Sequence, residues 1–437
     1  MISILIALAL AVSIGIGYKT KINTGLLAIC FAYIIGTFVM GLEPDEVISL
    51  WPVTIFFDIF AVTLFFSVAV ENGTLEKISQ HFLFRSRRLT WAVALVFLFT
   101  AVVVAALGAG FYAVMVFLCP AALLMCYEMH IEPLLGGLAV VVGAQSGANF
   151  MTSLNGIIYH GLFHQLGYSD SQSFLFRTAI FVAYLVLVVL VVTGLTLHYR
   201  RVAIRQGAET GASHISAPEP FDAKQKGTLW LIGLFLLLAL VPSISHVLAP
   251  NVVWISLLNS KMSVVLISVV LAVAAMFLGL ANHKRVLEKI PWNILVMISG
   301  VGMLVQVAVK AGTIKQIASW LGSGSLPTFF IPIMLAIVAA IITSFGSFIG
   351  ITAPALYPIV PSLAHLTGLS PTLLFVTITI SGLSMGISPY SSAGAMVLGF
   401  APEEERDALF SKELKVALPA MGGTALAATI LLTLIMH

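Results

Sequence analysis

The sequence predicts an all-α polytopic membrane protein, folded as two inverted repeats that each contain a re-entrant helical hairpin and a broken transmembrane helix. Three observations carry that prediction. Hydrophobic residues make up 60% of the 437 and charged residues only 9%, with a mean hydropathy of +1.08, a composition that a water-soluble domain does not have. Apolar runs long enough to cross a bilayer, about 18 residues or more, follow one another with short loops. Two of these runs, one in each half, are interrupted by glycine, hydroxyl and amide residues that a continuous membrane helix has no use for.

The elements follow in order. Ile2 to Gly17 lacks the basic leader and small-residue cleavage site of a removed signal and reads as a retained helix. Helices are expected near 2–18, 22–41 and 51–71. The run 89–127 is too long for one crossing and carries Gly108-Ala109-Gly110 at its midpoint, so it is expected to dip in and return as a hairpin. A broken helix over 133–159, interrupted within GAQSGANFMTSLNG (Gly143–Gly156), and a helix near 174–197 complete a first repeat, 1–199. The most polar stretch, 200–226, is the expected cytoplasmic linker. The second repeat, 227–437, runs through helices near 227–246, 261–281 and 291–311, then a hairpin over 320–363 centred on Ser344-Phe345-Gly346-Ser347. A broken helix over 371–400, interrupted within SGLSMGISPYSSAGA (Ser381–Ala395), and a last helix over 414–436 end it.

Charge sets the orientation. With each hairpin returning to its own side, all but four of the 21 lysines and arginines fall on one face, and the exceptions are Arg177, Lys261, Lys310 and Lys315. The positive-inside rule makes that face cytoplasmic, in a multi-pass protein of a bacterial-type inner membrane. The same count places the first hairpin inside and the second outside, so the two halves are expected to be upside-down copies, the arrangement that puts a binding site at the repeat interface of a secondary transporter. A net charge of +3 is too small to imply nucleic acid. Cys30, Cys119 and Cys126 lie in apolar runs and read as core residues, with no disulfide or metal framework.

No Asp, Glu, Lys or Arg lies between Glu132 and Asp170 or between Lys315 and Glu403. A site there would be built from hydroxyls, amides, carbonyls and helix ends, which suit a small anion and also a sodium ion. Substrate contacts are expected from Gly108, Gly110, Gln145, Ser146, Asn149, Thr152, Asn155, Ser344, Ser347, Ser388, Tyr390, Ser391 and Ser392. Coupling-ion contacts are expected from Ser146, Gly147, Asn149, Ser388 and Ser391, with Na⁺ or H⁺ as the ion and no other cofactor. Blander readings stand beside these. Small and hydroxyl residues also serve close helix packing, Asp58 in FFDIF lies within reach of the outer interface, and Arg177 reads as a snorkelling interfacial residue. His160 and His164 are one turn apart with no third ligand, so no metal is expected. Asn72-Gly73-Thr74 matches a glycosylation sequon but falls on the cytoplasmic side. Gly382-Leu383-Ser384-Met385-Gly386 matches the nucleophile elbow G-x-S-x-G, yet no histidine lies inside a second-half span to activate the serine.

The segment Asn23 to Ser79, with NTGLLAICFAYIIGTFVMG and WPVTIFFDIFAVTLFFSVAVENGTLEKIS, resembles the N-terminal domain of the MatC-type malonate and dicarboxylate carriers. The whole-chain pattern is similar to the ion transporter superfamily, which includes sodium-coupled divalent-anion symporters. The resemblance implies a homodimer with an elevator motion, in which hairpins and broken helices slide against a scaffold. It places the two broken-helix loops on Gln145–Asn149 with Thr152–Asn155, and on Ser388–Ser392. The chain departs from the sodium-coupled pattern at both hairpin tips, which lack Ser-Asn-Thr. The expected function is therefore secondary transport of a small dicarboxylate of malonate or C4 type, not enzymatic. The alternatives are an arsenite or other anion carrier of the same superfamily, a channel or assembly subunit, and an intramembrane serine hydrolase.

Overall fold

In the computed structural model, residues 2–20, 22–86, 92–129, 131–205, 218–248, 264–313, 316, 319, 327–345 and 347–436 are described. Every regular element among them is a helix. In the first half these are α1 (Ile2–Thr20), α2 (Thr24–Ile34, prolonged by a π turn to Val39), a short α3 (Pro44–Ser49), α4 (Val53–Glu71), α5 (Thr74–Ser86), α6 (Val93–Val104), α7 (Gly110–Glu128), α8 (Pro133–Ala148), α9 (Leu154–Gln165) and α10 (Asp170–Arg205). The second half has α11 (Ala223–Leu248), α12 (Val264–Phe277), α13 (His283–Glu288), α14 (Trp292–Lys310), α15 (Phe330–Phe345), α16 (Phe348–Thr367), α17 (Pro371–Ser384), α18 (Ser392–Phe400), α19 (Arg406–Lys412) and α20 (Leu418–Met436). Among the described residues, five stretches are long and apolar enough to cross a bilayer: Val53–Glu71, Asp170–Val202, Trp292–Lys310, Phe348–Thr367 and Glu403–Met436. The shorter apolar helices are mostly those that meet at breaks.

Helices end where the interruptions in the sequence fall. The run of the first hairpin splits at Gly108, whose φ of 96° is left-handed and where a Cβ would strike the ring of Phe66; only glycine fits there. The start of that run, Leu89 to Trp91, lies outside the described residues, as do 206–217 of the linker, 320–326 of the second hairpin and Gly346. The ends of the linker are helical: α10 continues to Arg205 and α11 begins at Ala223. α10 also starts earlier than the apolar pattern suggests. Gln172 Oε1 accepts from Ser169 N (3.0 Å) and Ser169 Oγ from Gln172 N (3.4 Å), a capping box that extends the helix past its apolar stretch.

Packing assembles these pieces around two cores. α6 and α7 both lie along α8, and α15 lies along α17. Gly143 and Gly147, four apart on α8, face the carbonyls of Leu98 and Val102 on α6, the small-xxx-small arrangement that lets two membrane helices touch backbone to backbone. The larger core takes in α4, α6–α12 and α15–α20, and a smaller one joins α1, α2 and the second half of α14. Asn72 sews the halves together. Its side chain donates to Thr228 Oγ1 (2.7 Å) and Leu280 O (3.2 Å) and accepts from Thr74 N (3.1 Å), so the sequon asparagine is a structural tie. Lys412 of α19 pairs with Glu132 at the start of α8 (2.8 Å).

At the α2–α14 crossing, a Cβ on Gly300 would collide with the carbonyl of Gly25. Gly300→Val is expected to destabilise the protein by about 1–3 kcal/mol through overpacking, read as a lower melting temperature in detergent. Gly15→Ala, where nothing lies within 4 Å, should leave it unchanged.

Candidate functional site

Four interruptions converge. In the first broken helix, the turn Asn149–Ser153 separates α8 from α9, and Asn149 organises it: its Oδ1 accepts from Asn155 Nδ2 (3.0 Å) and from the Tyr159 hydroxyl (2.9 Å). Ser153 Oγ donates to Ala105 O (2.7 Å), tying this turn to the break between α6 and α7. Arg177, expected at the interface, is instead only 8% exposed, with Nε on Ser173 O and Nη1 on Met151 O, each at 3.3 Å. A buried guanidinium thus sits beside the first break, because α10 packs its first turns against that turn of chain rather than against lipid.

In the second broken helix, α17 tightens into a 3₁₀ turn, Met385–Ile387, before an extended Ser388 and Ser391. Ser391 bridges the gap: its hydroxyl donates to Gly386 O (2.6 Å) and accepts from Gly394 N (3.2 Å), capping α18. Between α15 and α16, Ser347 Oγ accepts from Gly350 N (3.1 Å), and Thr343 and Thr352 join hydroxyls across the break (2.8 Å).

These four places wall one small cavity of about 70 Å³. Phe111 and Tyr112 come from the start of α7, Gln145 and Asn155 from the first broken helix, Thr343, Ser347 and Phe348 from the break between α15 and α16, and Leu383, Gly386 and Ser391 from the second broken helix. Gln145 is held on edge, since the Tyr184 hydroxyl donates to its Oε1 (2.7 Å) and lies 3.3 Å from Leu383 O. Through Tyr112, Ile294, Ser347 and Ser391 the cavity shares walls with a vestibule of about 800 Å³. The vestibule runs along the smaller core, past Thr24 and Met297, out to Asn23, Glu288 and Ile290, residues close in sequence to Lys19, Lys284, Arg285 and Lys289. Next to the cavity residue Phe348, whose ring is 6.5 Å from Tyr357, stands a ring cluster: Tyr357 is 4.9 Å from Phe375 and 5.5 Å from Phe163, and Phe163 is 4.5 Å from Phe375.

Of the residues expected at a site, Gln145, Asn155, Ser347 and Ser391 line the cavity, and Tyr390 with Ser347 and Ser391 lines the vestibule. Asn149 stands behind, positioning Asn155. Ser146 Oγ, Asn149 Nδ2 and Thr152 Oγ1 are buried in the first break without a hydrogen-bond partner among the described residues, which costs about 1–3 kcal/mol per group if nothing else satisfies it. Others serve the frame: Gly108 packs on Phe66, Gly147 lets α6 approach, Ser344 bonds back to Ala340 O (2.8 Å), and Ser388 Oγ accepts from Tyr390 N (3.3 Å). Gly110 opens α7, and Ser392 opens α18. The expected site residues did not include Tyr112 and Thr343, which adjoin the interruptions that the sequence marks, or Tyr184 and Ile294, single residues in ordinary apolar helices whose role appears only when the helices pack. Nor did they include Glu413, a fully buried carboxylate whose oxygens both lack a partner among the described residues; in apolar surroundings such a group needs a proton or a cation beside it. Ser384 of the G-x-S-x-G match is buried and donates to Ile380 O (2.6 Å) within its helix, so it is no exposed nucleophile.

With this geometry in view, residues 1–148 match the family model described as the dicarboxylate carrier protein MatC N-terminus, and the resemblance read from Asn23 to Ser79 holds over that whole stretch. In fold, the chain is similar to the YdaH transporter of Alcanivorax borkumensis, described as having an unusual topology (TM-score 0.58, 17% identity, 91% of this chain and 87% of that one). It is also similar to MtrF of Neisseria gonorrhoeae, described as illuminating a class of antimetabolite efflux pumps (TM-score 0.56, 16% identity, 92% and 83%). No curated protein matches the chain by sequence. The family model and the apolar helices together support a membrane transporter, and the solved structures show the shared fold.

Tyr184→Phe removes the donor that Gln145 Oε1 relies on. It is expected to cost about 1–3 kcal/mol, seen as a lower melting temperature, whereas Tyr33→Phe should be neutral.

Proposed function

We propose that the protein is a secondary active transporter of a small dicarboxylate, of malonate or C4 type, working as a cation-coupled symporter in a bacterial-type inner membrane. One observation carries this: hydroxyl and amide groups from four separate helix breaks wall a single cavity whose lining residues carry no formal charge. Polar groups at such depth need partners, and a compact anion accepting from the Gln145 amide and the Ser347 hydroxyl would fit the cavity they line. The buried Arg177 adds a positive field behind the first break. The MatC likeness of residues 1–148 supports a dicarboxylate over other anions.

A dianion held in mid-membrane costs many kcal/mol unless its charge is offset. The unpartnered Ser146 and Thr152 hydroxyls, with the carbonyls of the same turn, favour a sodium ion there. The order of hairpin and broken helix, repeated in the two halves with the basic residues on one face, fits inverted repeats. The vestibule, walled by residues close in sequence to the basic loops, fits an inward-facing state. The seam between the smaller core and the broken helices is where an elevator would slide, in a homodimer of the kind the resemblance implies.

Asn155→Ala and Ser391→Ala should each lower sodium-driven uptake of labelled malonate or succinate into proteoliposomes by about tenfold or more, equivalent to about 1.4 kcal/mol, in protein that still folds, although each also loses a structural hydrogen bond and melts at a somewhat lower temperature. Ser362→Ala, in a separate cavity of about 170 Å³, should transport like the wild type. Wild-type uptake by both cavity variants would refute the site.

A further inference from the structure

The sequence sets His160 and His164 one turn apart on α9 without a third donor, and the fold supplies it. α9 ends on a left-handed Gly167 (φ 83°), with Gly167 N donating to His164 O (3.0 Å) and Tyr168 N to Phe163 O (3.1 Å), a helix-ending turn that reverses the chain. Asp170 then opens α10 against the two histidines. His164 Nε2 lies 2.8 Å from Asp170 Oδ1 and His160 Nε2 3.8 Å from the same oxygen. One donor atom from each of the three residues lies within 4.8 Å of the others, the one such group of three among the described residues.

We propose that His160 Nε2, His164 Nε2 and an Asp170 carboxylate oxygen form a binding site for a divalent transition metal, Zn²⁺ being the ion best matched, on the face opposite the basic loops. The chemistry fits in four respects. Two imidazoles and one carboxylate are a set that zinc takes in three-ligand sites with an open fourth position, whereas Mg²⁺ and Ca²⁺ prefer oxygen alone. His160 is oriented from behind: its Nδ1 lies 3.1 Å from the hydroxyl of the fully buried Ser173, and the tautomer in which Nδ1–H donates to that oxygen leaves the Nε2 lone pair free for metal. Charge permits it: Asp170 is joined by the nearby Asp58 carboxyl, whose Oδ2 lies 3.5 Å from the Cβ position of Gly161, against the one positive charge of Arg177, which acts on His160 while it bonds the Ser173 and Met151 carbonyls. Access is open, with the His164 side chain 43% and Asp170 55% exposed.

Tetrahedral coordination at about 2.0–2.1 Å places donors roughly 3.3 Å apart, so side-chain rotations of about an ångström close the site. A bound ion would then clamp α9, which carries Asn155, to α10 across the Gly167 turn. The same 2.8 Å contact without an ion would be a hydrogen bond that closes the turn and nothing more.

Binding to the full-length protein in detergent, without a polyhistidine tag, separates the two. Zn²⁺ titrated against a chromophoric chelator should show one high-affinity ion per chain. His164→Ala and Asp170→Asn should each weaken it at least a hundredfold, and Ser173→Ala about tenfold, the lower end of the roughly 10–100-fold effects of outer partners, in protein that still unfolds cooperatively without metal. Co²⁺ bound to the wild type should give a visible spectrum of nitrogen and oxygen ligands. The proposal is overturned if the wild type binds no Zn²⁺, if the His160→Ala/His164→Ala double variant keeps wild-type affinity, or if Co²⁺ shows thiolate charge transfer that places the ion on Cys30. None of these readouts depends on transport.

Discussion

A polypeptide in apolar surroundings must find a hydrogen-bond partner for every backbone amide and carbonyl, and a helix is the form that does so alone. Wherever this chain breaks a helix inside the packed interior, side chains take over. Ser391 spans from Gly386 O to Gly394 N, Ser347 caps the first turn of α16, and Ser153 reaches across to Ala105 O. The groups recruited to mend the backbone are polar, so polarity gathers at the breaks. Because the breaks lie side by side, it gathers in one cavity.

The same economy governs charge. The cavity walls are neutral, and the ionisable groups around them are either withdrawn or committed: Arg177 to two carbonyls, Glu132 to Lys412, Glu288 at the mouth of the vestibule. Glu413 stands apart, fully buried and unpartnered among the described residues. In the proposed transporter an anion therefore meets oriented dipoles and one nearby guanidinium rather than a salt bridge. That arrangement lets a site release its cargo as well as bind it, since no fixed counter-charge must be stripped of its partner on exit.

Much of this was legible in the sequence. The places where helices would break followed from Gly108, from GAQSGANFMTSLNG and from Ser388-Pro389, since glycine, proline and clustered hydroxyls weaken a helix whatever surrounds them. The helix ends were less so: the extension of α10 to Asp170 depends on the Ser169–Gln172 cap, a local pairing hidden beneath a hydropathy pattern. The site was legible in part. Gln145, Asn155, Ser347 and Ser391 were named because they stand in the interruptions, whereas Tyr112 and Thr343 only adjoin them, and Tyr184 comes from an unremarkable apolar stretch and reaches Gln145 only through tertiary packing. Gly147 shows the converse, a residue of suggestive position whose work is to let two helices touch. The Asp170 donor could not be anticipated, because a reversal at Gly167, not sequence spacing, brings it to the histidines.

The central claim is that the two broken helices face each other across one substrate cavity. Its most direct test is cross-linking of cysteines placed at Asn155 and Ser391, in a background with Cys30, Cys119 and Cys126 replaced, using a short bifunctional thiol reagent on protein in native membranes. The structure predicts rapid intramolecular cross-linking that succinate or malonate with sodium slows. Absence of a cross-link while each single cysteine still reacts, or a rate indifferent to every dicarboxylate tried, would contradict it.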